Sequence, residues 1–151
     1  MADHARKQIR TAIATALTGL VTTGANVKAS RTYTVPDGNL PHLSVYTREE
    51  NLEPDKGVMG DKEFRLLEVT VEARAKKVDA VDDQLDQIAK EVEVVLAGNQ
   101  LSLGVKDTSL ISTSFDYGED DAQGEKPHAL MTMIWQVEYR VDRTAPDVII
   151  A

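Results

Sequence analysis

Cysteine is absent from this 151-residue sequence, and aromatic residues make up only 5% of it. Without thiols the chain cannot form disulfides, hold a metal through thiolates or use a cysteine nucleophile. No apolar run is long enough to cross a bilayer. The first residues are polar and charged where a signal peptide requires an apolar stretch. We therefore expect a soluble protein of the cytoplasm that makes no membrane contact.

Basic residues are outnumbered by acidic ones, 17 to 25, which gives a formal net charge of −8. This charge disfavours nonspecific binding to nucleic-acid phosphates, so we expect no sequence-specific nucleic-acid partner. A chain of this length is most simply one domain with a single hydrophobic core. We expect residues 1–141 to form this domain and residues 142–151 to form a C-terminal tail.

Two segments carry the apolar spacing of amphipathic helices. In the first, Asp3 is a candidate N-cap, Gly19 marks the end, and the apolar stripe consists of Ile9, Ala12, Ile13, Ala16, Leu17 and Leu20. In the second, Asp79 is a candidate N-cap, Gly98 marks the end, and the stripe consists of Val81, Leu85, Ile88, Val92 and Val95. Asp82, Asp83 and Asp86 then favour the dipole of the second helix.

Two segments, Phe64–Ala75 and Ala129–Val141, alternate between apolar and polar residues, which is typical of strands with one buried face. Leu110–Tyr117 is predicted as a further strand, joined to the last segment by an acidic loop. In the last segment Met131, Met133 and Trp135 share a face, and at strand spacing they are predicted to lie in the core rather than in a ligand pocket. Shorter strands are predicted at Val27–Val35 and His42–Arg48, and these two could form a hairpin around Pro36-Asp37-Gly38. The polar segment Glu49–Lys62 is predicted to be a long mobile loop.

The predicted order α-β-β-β-α-β-β indicates an α+β fold, with two amphipathic helices packed on one face of a mostly antiparallel sheet.

No arrangement of residues typical of catalysis is present. The three histidines, His4, His42 and His128, have no spacing typical of a metal or catalytic site, and we interpret them as solvated or capping side chains. Gly57 and Gly60 lack the context of a phosphate-binding loop. We therefore expect no catalytic residues, no metal, no cofactor and no enzymatic activity.

Three groups of residues are candidates for contacts with other proteins. Glu68, Glu72 and Arg74 should project from the sheet face that the helices leave open, where they can meet either water or a neighbouring subunit. Val148, Ile149 and Ile150 form an apolar triple close to the C-terminus, which suggests docking on another surface. Glu119, Asp120 and Asp121 form the densest acidic cluster. Their spacing does not suit a calcium loop, so we expect a solvated loop or a contact with a basic partner.

The order of several short motifs resembles the tail terminators of long-tailed bacteriophages, the family of the lambda minor tail protein U. The motifs are Thr18-Gly19 at the end of the first helix, Leu40–Tyr46 around a proline, Leu67–Val71 in a strand, Val81–Asp86 at the acidic start of the second helix, Phe115–Tyr117, and Asp120–Ala122. Together they span most of the chain, from Ala5 to Val141.

This resemblance implies a subunit that assembles into a ring, expected to be a hexamer, at the virion tail or neck. Such a ring caps the tail tube, stops its polymerisation and offers a surface to the head. The implied partners are further copies of the chain, the tail-tube protein and a head-completion or connector protein. DNA would pass through the ring lumen, and assembly would take place in the host cytoplasm. Two alternatives stay open: another head–tail connector or tail-tube subunit, and a small-molecule binding domain or enzyme.

Overall fold

The computed structural model of the chain describes residues 2–31, 35–53, 58–117 and 128–150. Within these residues the chain forms two α-helices and seven strands. In chain order they are α1 (Ala5–Leu17), β1 (Val27–Lys28), β2 (His42–Leu52), β3 (Val58–Met59), β4 (Lys62–Lys76), α2 (Val81–Leu96), β5 (Asp107–Asp116), β6 (His128–Asp142) and β7 (Ala145–Ile149), with a short 3-10 turn at Asp37–Asn39.

All described strands join one sheet with the order β1-β2-β4-β6-β5, while β3 pairs with β4 and β7 pairs with β6. Every pair is antiparallel except β1 with β2. The centre of the sheet is the β4–β6 pair, which stays in register from Lys62 opposite Asp142 to Lys76 opposite His128. Because β4 occupies one side of β6 along its whole length, β5 and β7 must share the other side. The predicted α+β class with a mostly antiparallel sheet is confirmed.

Both helices pack on the same face of the sheet. The odd-numbered residues of β6 from Ala129 to Val141 are buried, as are the odd-numbered residues of β4 from Leu67 to Ala75. They form one cluster with the apolar stripes of α1 and α2. Trp135, Met131 and Met133 are fully buried in this cluster, so their predicted place in the core is confirmed.

The helix starts differ from the sequence prediction. The ring Nδ1 of His4, and not Asp3, caps α1 by accepting a hydrogen bond from the backbone N–H of Arg6 at 3.1 Å. At α2 the N-cap is Ala80, with φ of 64°, and no side chain caps the helix. Asp82 and Asp83 lie in the first turn, where their charges favour the helix dipole without a capping bond.

The predicted hairpin between Val27–Val35 and His42–Arg48 is wrong. Only Val27 and Lys28 pair, and they run parallel to Leu43 and Ser44. The backbone N–H of Leu43 also bonds the carbonyl of Asn26 at 2.8 Å. A parallel pair needs a longer connection than a hairpin turn, and the chain from Ala29 to Pro41 provides it. Residues 32–34 of the predicted strand lie outside the described residues.

The predicted loop Glu49–Lys62 is also wrong for most of its described residues. Strand β2 continues to Leu52, β3 occupies Val58–Met59, and β4 begins at Lys62. The pairing of β2 with β4 has an irregularity between Thr47 and Glu49, which shifts the alternation of the β2 side chains. Beyond this point β2 still pairs with β4, although most of its side chains there are polar or charged. Residues 54–57 lie outside the described residues.

Most of the C-terminal segment continues the sheet of its own subunit. Strand β7 pairs with β6 through Val141 opposite Ile149 and Asp142 opposite Ala145. The Gln8 side chain of α1 donates a hydrogen bond to the carbonyl of Asp147 at 2.6 Å. These contacts fix the segment against both the sheet and α1.

Candidate assembly surface

The sheet face opposite the helices carries the even-numbered side chains of β4 and β6. Neither α-helix packs on this face, and its residues on β6 are half-buried. Apolar side chains such as Leu66, Leu130 and Ile134 alternate there with charged and polar ones. A face of this mixed character can meet water or another protein.

Two carboxylates lie opposite each other on the open face. Glu68 of β4 pairs in register with Glu49 of β2, and its neighbour on the other side is Gln136 of β6. Like charges directly opposite in a sheet are destabilising unless a cation or water separates them. The pair therefore suits a contact with a basic side chain of a partner.

Glu72 and Arg74 form an ion pair on the same face. The Arg74 Nε donates to Glu72 at 3.2 Å, and the Tyr46 hydroxyl donates to the other oxygen of Glu72 at 3.0 Å. The guanidinium of Arg31 lies 4.5 Å above the centre of the Tyr46 ring. At this distance the cation is attracted by the ring. The stacking holds Arg31, which is exposed, close to the β2 edge.

The sheet edge formed by β1 and β2 is basic. Lys28 and Arg31 are both exposed there. The pKa of the neighbouring His42 is lowered mainly by burial, and further by the charges of Arg74 and Lys28.

The opposite edge, at the end of β5, is acidic and aromatic. The rings of Phe115 and Tyr117 stack with centres 6.4 Å apart and an interplanar angle of 3°. A hydrogen bond with Asp82 raises the pKa of Tyr117, and the charge of Asp86 acts in the same direction. Phe115 remains 44% exposed and Val78, beside the groove at the start of α2, 54% exposed. We call this groove, lined by Lys77, Val78, Asp79, Val81, Asp82 and Tyr117, the acidic groove.

The two edges lie at the same level of the sheet. Val27 is in register with Leu43, Leu43 with Ala73, Ala73 with Met131, and Met131 with Phe115. The next row places Lys28 level with Ser114 on the far edge. Four strand spacings of about 4.8 Å separate the edges, so they are roughly 19 Å apart.

A polar cluster, buried at Tyr139 and half-buried at Glu50 and Arg65, lies at the other end of the helix-covered face. The Glu50 carboxylate accepts hydrogen bonds from Arg6 at 3.0 Å and Arg65 at 3.2 Å, and from the Tyr139 hydroxyl. Arg65 also reaches Glu63 at 3.3 Å. Burial, then the hydrogen bond to Glu50, raises the pKa of Tyr139, which keeps the phenol protonated as a donor. This cluster joins α1 to β2, β4 and β6, so its role is structural.

The predicted interface residues are not brought together into one patch. Glu68, Glu72 and Arg74 lie on the open face, Val148 is 54% exposed on β7, and Ile149 packs against the core. Ile150 follows β7, and its N–H bonds the carbonyl of Arg140 at 2.9 Å. Glu119, Asp120 and Asp121 lie outside the described residues.

Neither sheet edge was predicted from the sequence as a candidate site. Phe115 and Tyr117 are two residues apart in a segment predicted to be a strand, which was sufficient to place them on one face. Lys28 and Arg31 gave no such signal, because the strand that contains Lys28 is far shorter than the pattern predicted.

The described histidines and acidic side chains give no grouped set of metal ligands. Among them no three His, Asp or Glu side chains are grouped so that they could hold a metal ion. His4 caps a helix, as one of our two interpretations allowed, whereas His42 is only 4% exposed and is not solvated. No helix in the described ranges is long and apolar enough to cross a membrane.

Comparisons with known proteins agree with this architecture. No protein with a curated description matches the sequence. Among solved structures, a chain from the virion of a native gene transfer agent particle superposes with a TM-score of 0.57 at 10% sequence identity, covering 93% of this chain and 96% of that one. At this identity the likeness shows a shared fold. The family model described as phage minor tail protein U matches residues 4–139. The chain therefore belongs to the phage minor tail protein U family and is a structural protein of the phage tail.

Proposed function

We propose that this protein is the tail terminator: a ring that caps the tail tube, stops its polymerisation and provides the surface for head joining. The observation that carries the proposal is the family match over residues 4–139, combined with the resemblance of the sequence to tail terminators. The proposed location is the junction of tail and neck, after assembly in the host cytoplasm.

The architecture supports a subunit that works in an assembly. One sheet face is left uncovered by the α-helices, and it holds the opposed carboxylates Glu49 and Glu68. In a ring, an open face and two edges on which no further described strand pairs give each subunit separate surfaces for its neighbours and for the tube. The likeness to a chain of a gene transfer agent virion supports the use of this fold in assembled particles. We propose a hexamer as the ring size.

The proposed partners of the ring are the tail-tube protein on one side and a head-completion or connector protein on the other. Glu68, Glu72 and Arg74 on the open face are proposed contacts, as is the acidic cluster Glu119, Asp120 and Asp121. Carboxylates attract a basic partner and tolerate one another best in water or opposite Lys and Arg. DNA would pass through the lumen without sequence-specific recognition, since the net charge of −8 opposes close contact with phosphates.

A phage from which this gene is deleted tests the proposal, with the gene supplied in trans as the control. We expect headless tails of irregular and excessive length, seen by electron microscopy, because nothing stops tube growth. Tails of normal length that fail to join heads would instead assign the protein to a connector. Complete absence of tube would assign it to a tube subunit.

Substitution of Glu119, Asp120 and Asp121 by Gln or Asn tests the acidic cluster in the same system. We expect a folded subunit and a reduced yield of complete particles. The effect should be largest at low salt, where charge contacts are least screened. Normal particle yield would show that the cluster is only a solvated turn.

A further inference from the structure

Exposed side chains of opposite charge lie at the two sheet edges of the subunit. Lys28 and Arg31 are exposed at the β1–β2 edge, and Asp82 and Asp86 are exposed beside the end of β5. A subunit with net charge −8 repels its own copies on average. Self-association therefore requires that unlike charges meet locally.

We infer that the basic edge of one copy docks into the acidic groove of a second copy, and that this contact, repeated head to tail, closes the proposed ring. The inference rests on the proposed function for the existence of a ring, and it adds which two surfaces meet. The basic edge is defined by Lys28 and Arg31. The acidic side is the acidic groove, whose lining includes Asp79, Asp82 and Tyr117 and also the cation Lys77. Asp86 and Phe115 lie beside it, next to Tyr117.

Three properties of the acidic groove suit a cationic side chain. Its carboxylates provide the opposite charge, and the pKa of Tyr117 responds to two of them. The stacked pair of Phe115 and Tyr117 provides aromatic surface of the kind that attracts a guanidinium. Val78 and Phe115 provide exposed apolar area that the contact would remove from water.

The basic edge is prepared for such a contact. Arg31 is held over the Tyr46 ring at 4.5 Å, which limits the conformational entropy that a free arginine would lose on binding. Its guanidinium can donate to a carboxylate from its edge while its face remains stacked. Lys28, which is in register with Ser44 of β2, adds a second exposed cation at this edge.

The geometry of the sheet makes the contact repeatable. Lys28 and Ser114 lie in one row across the sheet, so the two edges face outward at the same level. Within the described part of the chain, no strand covers the outer side of β5. Two different surfaces at opposite sides of one subunit form a heterologous contact, and such contacts close into rings when the rotation allows.

Charge reversal tests the assignment. The first variant carries Lys28→Glu and Arg31→Glu, which makes both edges acidic. The second carries Asp82→Lys and Asp86→Lys, which makes both edges basic. Each alone should weaken self-association by roughly 100-fold, because like charges then face each other. All four positions are exposed, so folding should persist, and circular dichroism checks this.

Mixing the two variants provides the decisive measurement. Acidic-edged and basic-edged subunits should restore rings in which the two variants alternate, and native mass spectrometry would detect equal numbers of each. The matched control reverses Lys90→Glu and Glu93→Lys, two exposed charges on the other end of α2, and should assemble like the native protein. Rings formed by either edge variant alone, or no rings from the mixture, would overturn the assignment.

Covalent capture gives a second readout that measures proximity, and Lys28→Cys leaves Arg31 and the carboxylates of the acidic groove in place. The cysteine-free background allows Lys28→Cys and Ser114→Cys to be combined in one chain and joined with a short bis-maleimide. A ladder of covalent oligomers that ends at the ring size is expected, both at high protein concentration and on tail tubes. The control pair, Lys28→Cys with Glu93→Cys, should give no ladder.

The outcomes separate this inference from the proposed function. A native protein that remains monomeric in solution and on tail tubes would overturn the ring, and with it the terminator proposal. If the native protein forms a ring but only the control cysteine pair gives a ladder of covalent oligomers, the edge assignment is overturned and the terminator proposal stands.

Discussion

At the scale of single residues, the mostly buried carboxylate of Glu50 joins β2 to α1, β4 and β6. Its side chain is 12% exposed, and so is that of its partner Arg65. Arg6 and Tyr139 also donate to it. Removing one member of a buried ion pair leaves the other charge uncompensated, and that costs more than the pair itself contributes.

Glu50→Ala should therefore lower the free energy of unfolding by about 3 kcal/mol, measured by urea denaturation. Lys7→Ala is the matched control, because its ion pair with Asp3 at 3.1 Å has both side chains more than half exposed. Such a surface pair contributes at most about 1 kcal/mol. Equal effects of the two substitutions would contradict the structural role of the Glu50 cluster.

His42 should make stability depend on pH. Burial, then the charges of Arg74 and Lys28, lowers its pKa below the ordinary 6.5, while Glu72 acts in the opposite direction. The unfolded chain then binds a proton more readily than the folded one. The contribution of neutral His42 to stability is fully present above pH 6.5 and is lost as the pH falls from there through the pKa of His42 in the folded protein.

His42→Gln should reduce the loss of unfolding free energy between pH 7 and pH 5, measured by urea denaturation at several pH values. A smaller slope should remain, because burial and Arg6 also lower the pKa of His4. Native protein and variant are compared at pH 8 as the reference, where both imidazoles are neutral. An unchanged slope in the variant would show that His42 does not carry this dependence.

At the scale of secondary structure, the sequence predicted the elements whose alternation or periodicity was uninterrupted. β6 and β4 alternate over their whole core, and the stripes of α1 and α2 match helical spacing, so these four elements were found with ends off by a few residues. Their burial pattern depends only on which face meets the core.

The sequence prediction failed where pairing depends on distant residues. β1 is defined by two residues that pair with Leu43 and Ser44 of β2, and nothing in the sequence of β1 indicates this length. At the charged end of β2, Glu50 accepts hydrogen bonds from Arg65 and Tyr139 of neighbouring strands, and the sequence of β2 alone does not indicate these partners. The acidic groove combines the start of α2 with Tyr117, which is distant in sequence, and Lys28 and Arg31 belong to no recognisable pattern, so neither surface could be predicted before the fold was known.

Strand β7 should contribute to stability through Ile149, which packs against the core opposite Val141. Ile149→Ala should lower the free energy of unfolding by about 1–2 kcal/mol, since the side chain is half-buried. Val148→Ala, at a position 54% exposed, serves as the control and should change stability by less than about 0.5 kcal/mol. Equal stability of the Ile149 variant and native protein would show that β7 is loosely attached.

Val148, which is exposed, remains the predicted interface residue of the C-terminal segment. Val148→Asp should leave the melting temperature nearly unchanged and weaken assembly or head joining, because a charge would enter a contact proposed to be apolar. Particle yield and thermal denaturation measure the two effects separately. Normal particle yield would remove Val148 from the proposed interface.

At the scale of the whole molecule, two electrostatic effects act on ring formation in opposite directions. The net charge of −8 makes subunits repel one another. A globular domain of this length has a radius of gyration of about 15 Å, so the charges act between centres roughly 30 Å apart. That distance equals the Debye length at about 0.01 M salt and is three times the Debye length at about 0.1 M. The repulsion is therefore strong only at very low salt.

The proposed contact between basic edge and acidic groove acts over a much shorter range. Ion pairs at about 4 Å are only partly screened at about 0.1 M salt and are screened strongly at about 1 M, where the Debye length is roughly 3 Å. Self-association of the native protein should therefore be tightest near about 0.1–0.2 M salt and weaker at both extremes, as measured by sedimentation velocity. The Lys28→Glu, Arg31→Glu variant lacks the short-range attraction, so its weak association should only increase with salt. If association of the native protein also rises steadily up to about 1 M salt, apolar contacts rather than the charged edges hold the ring together.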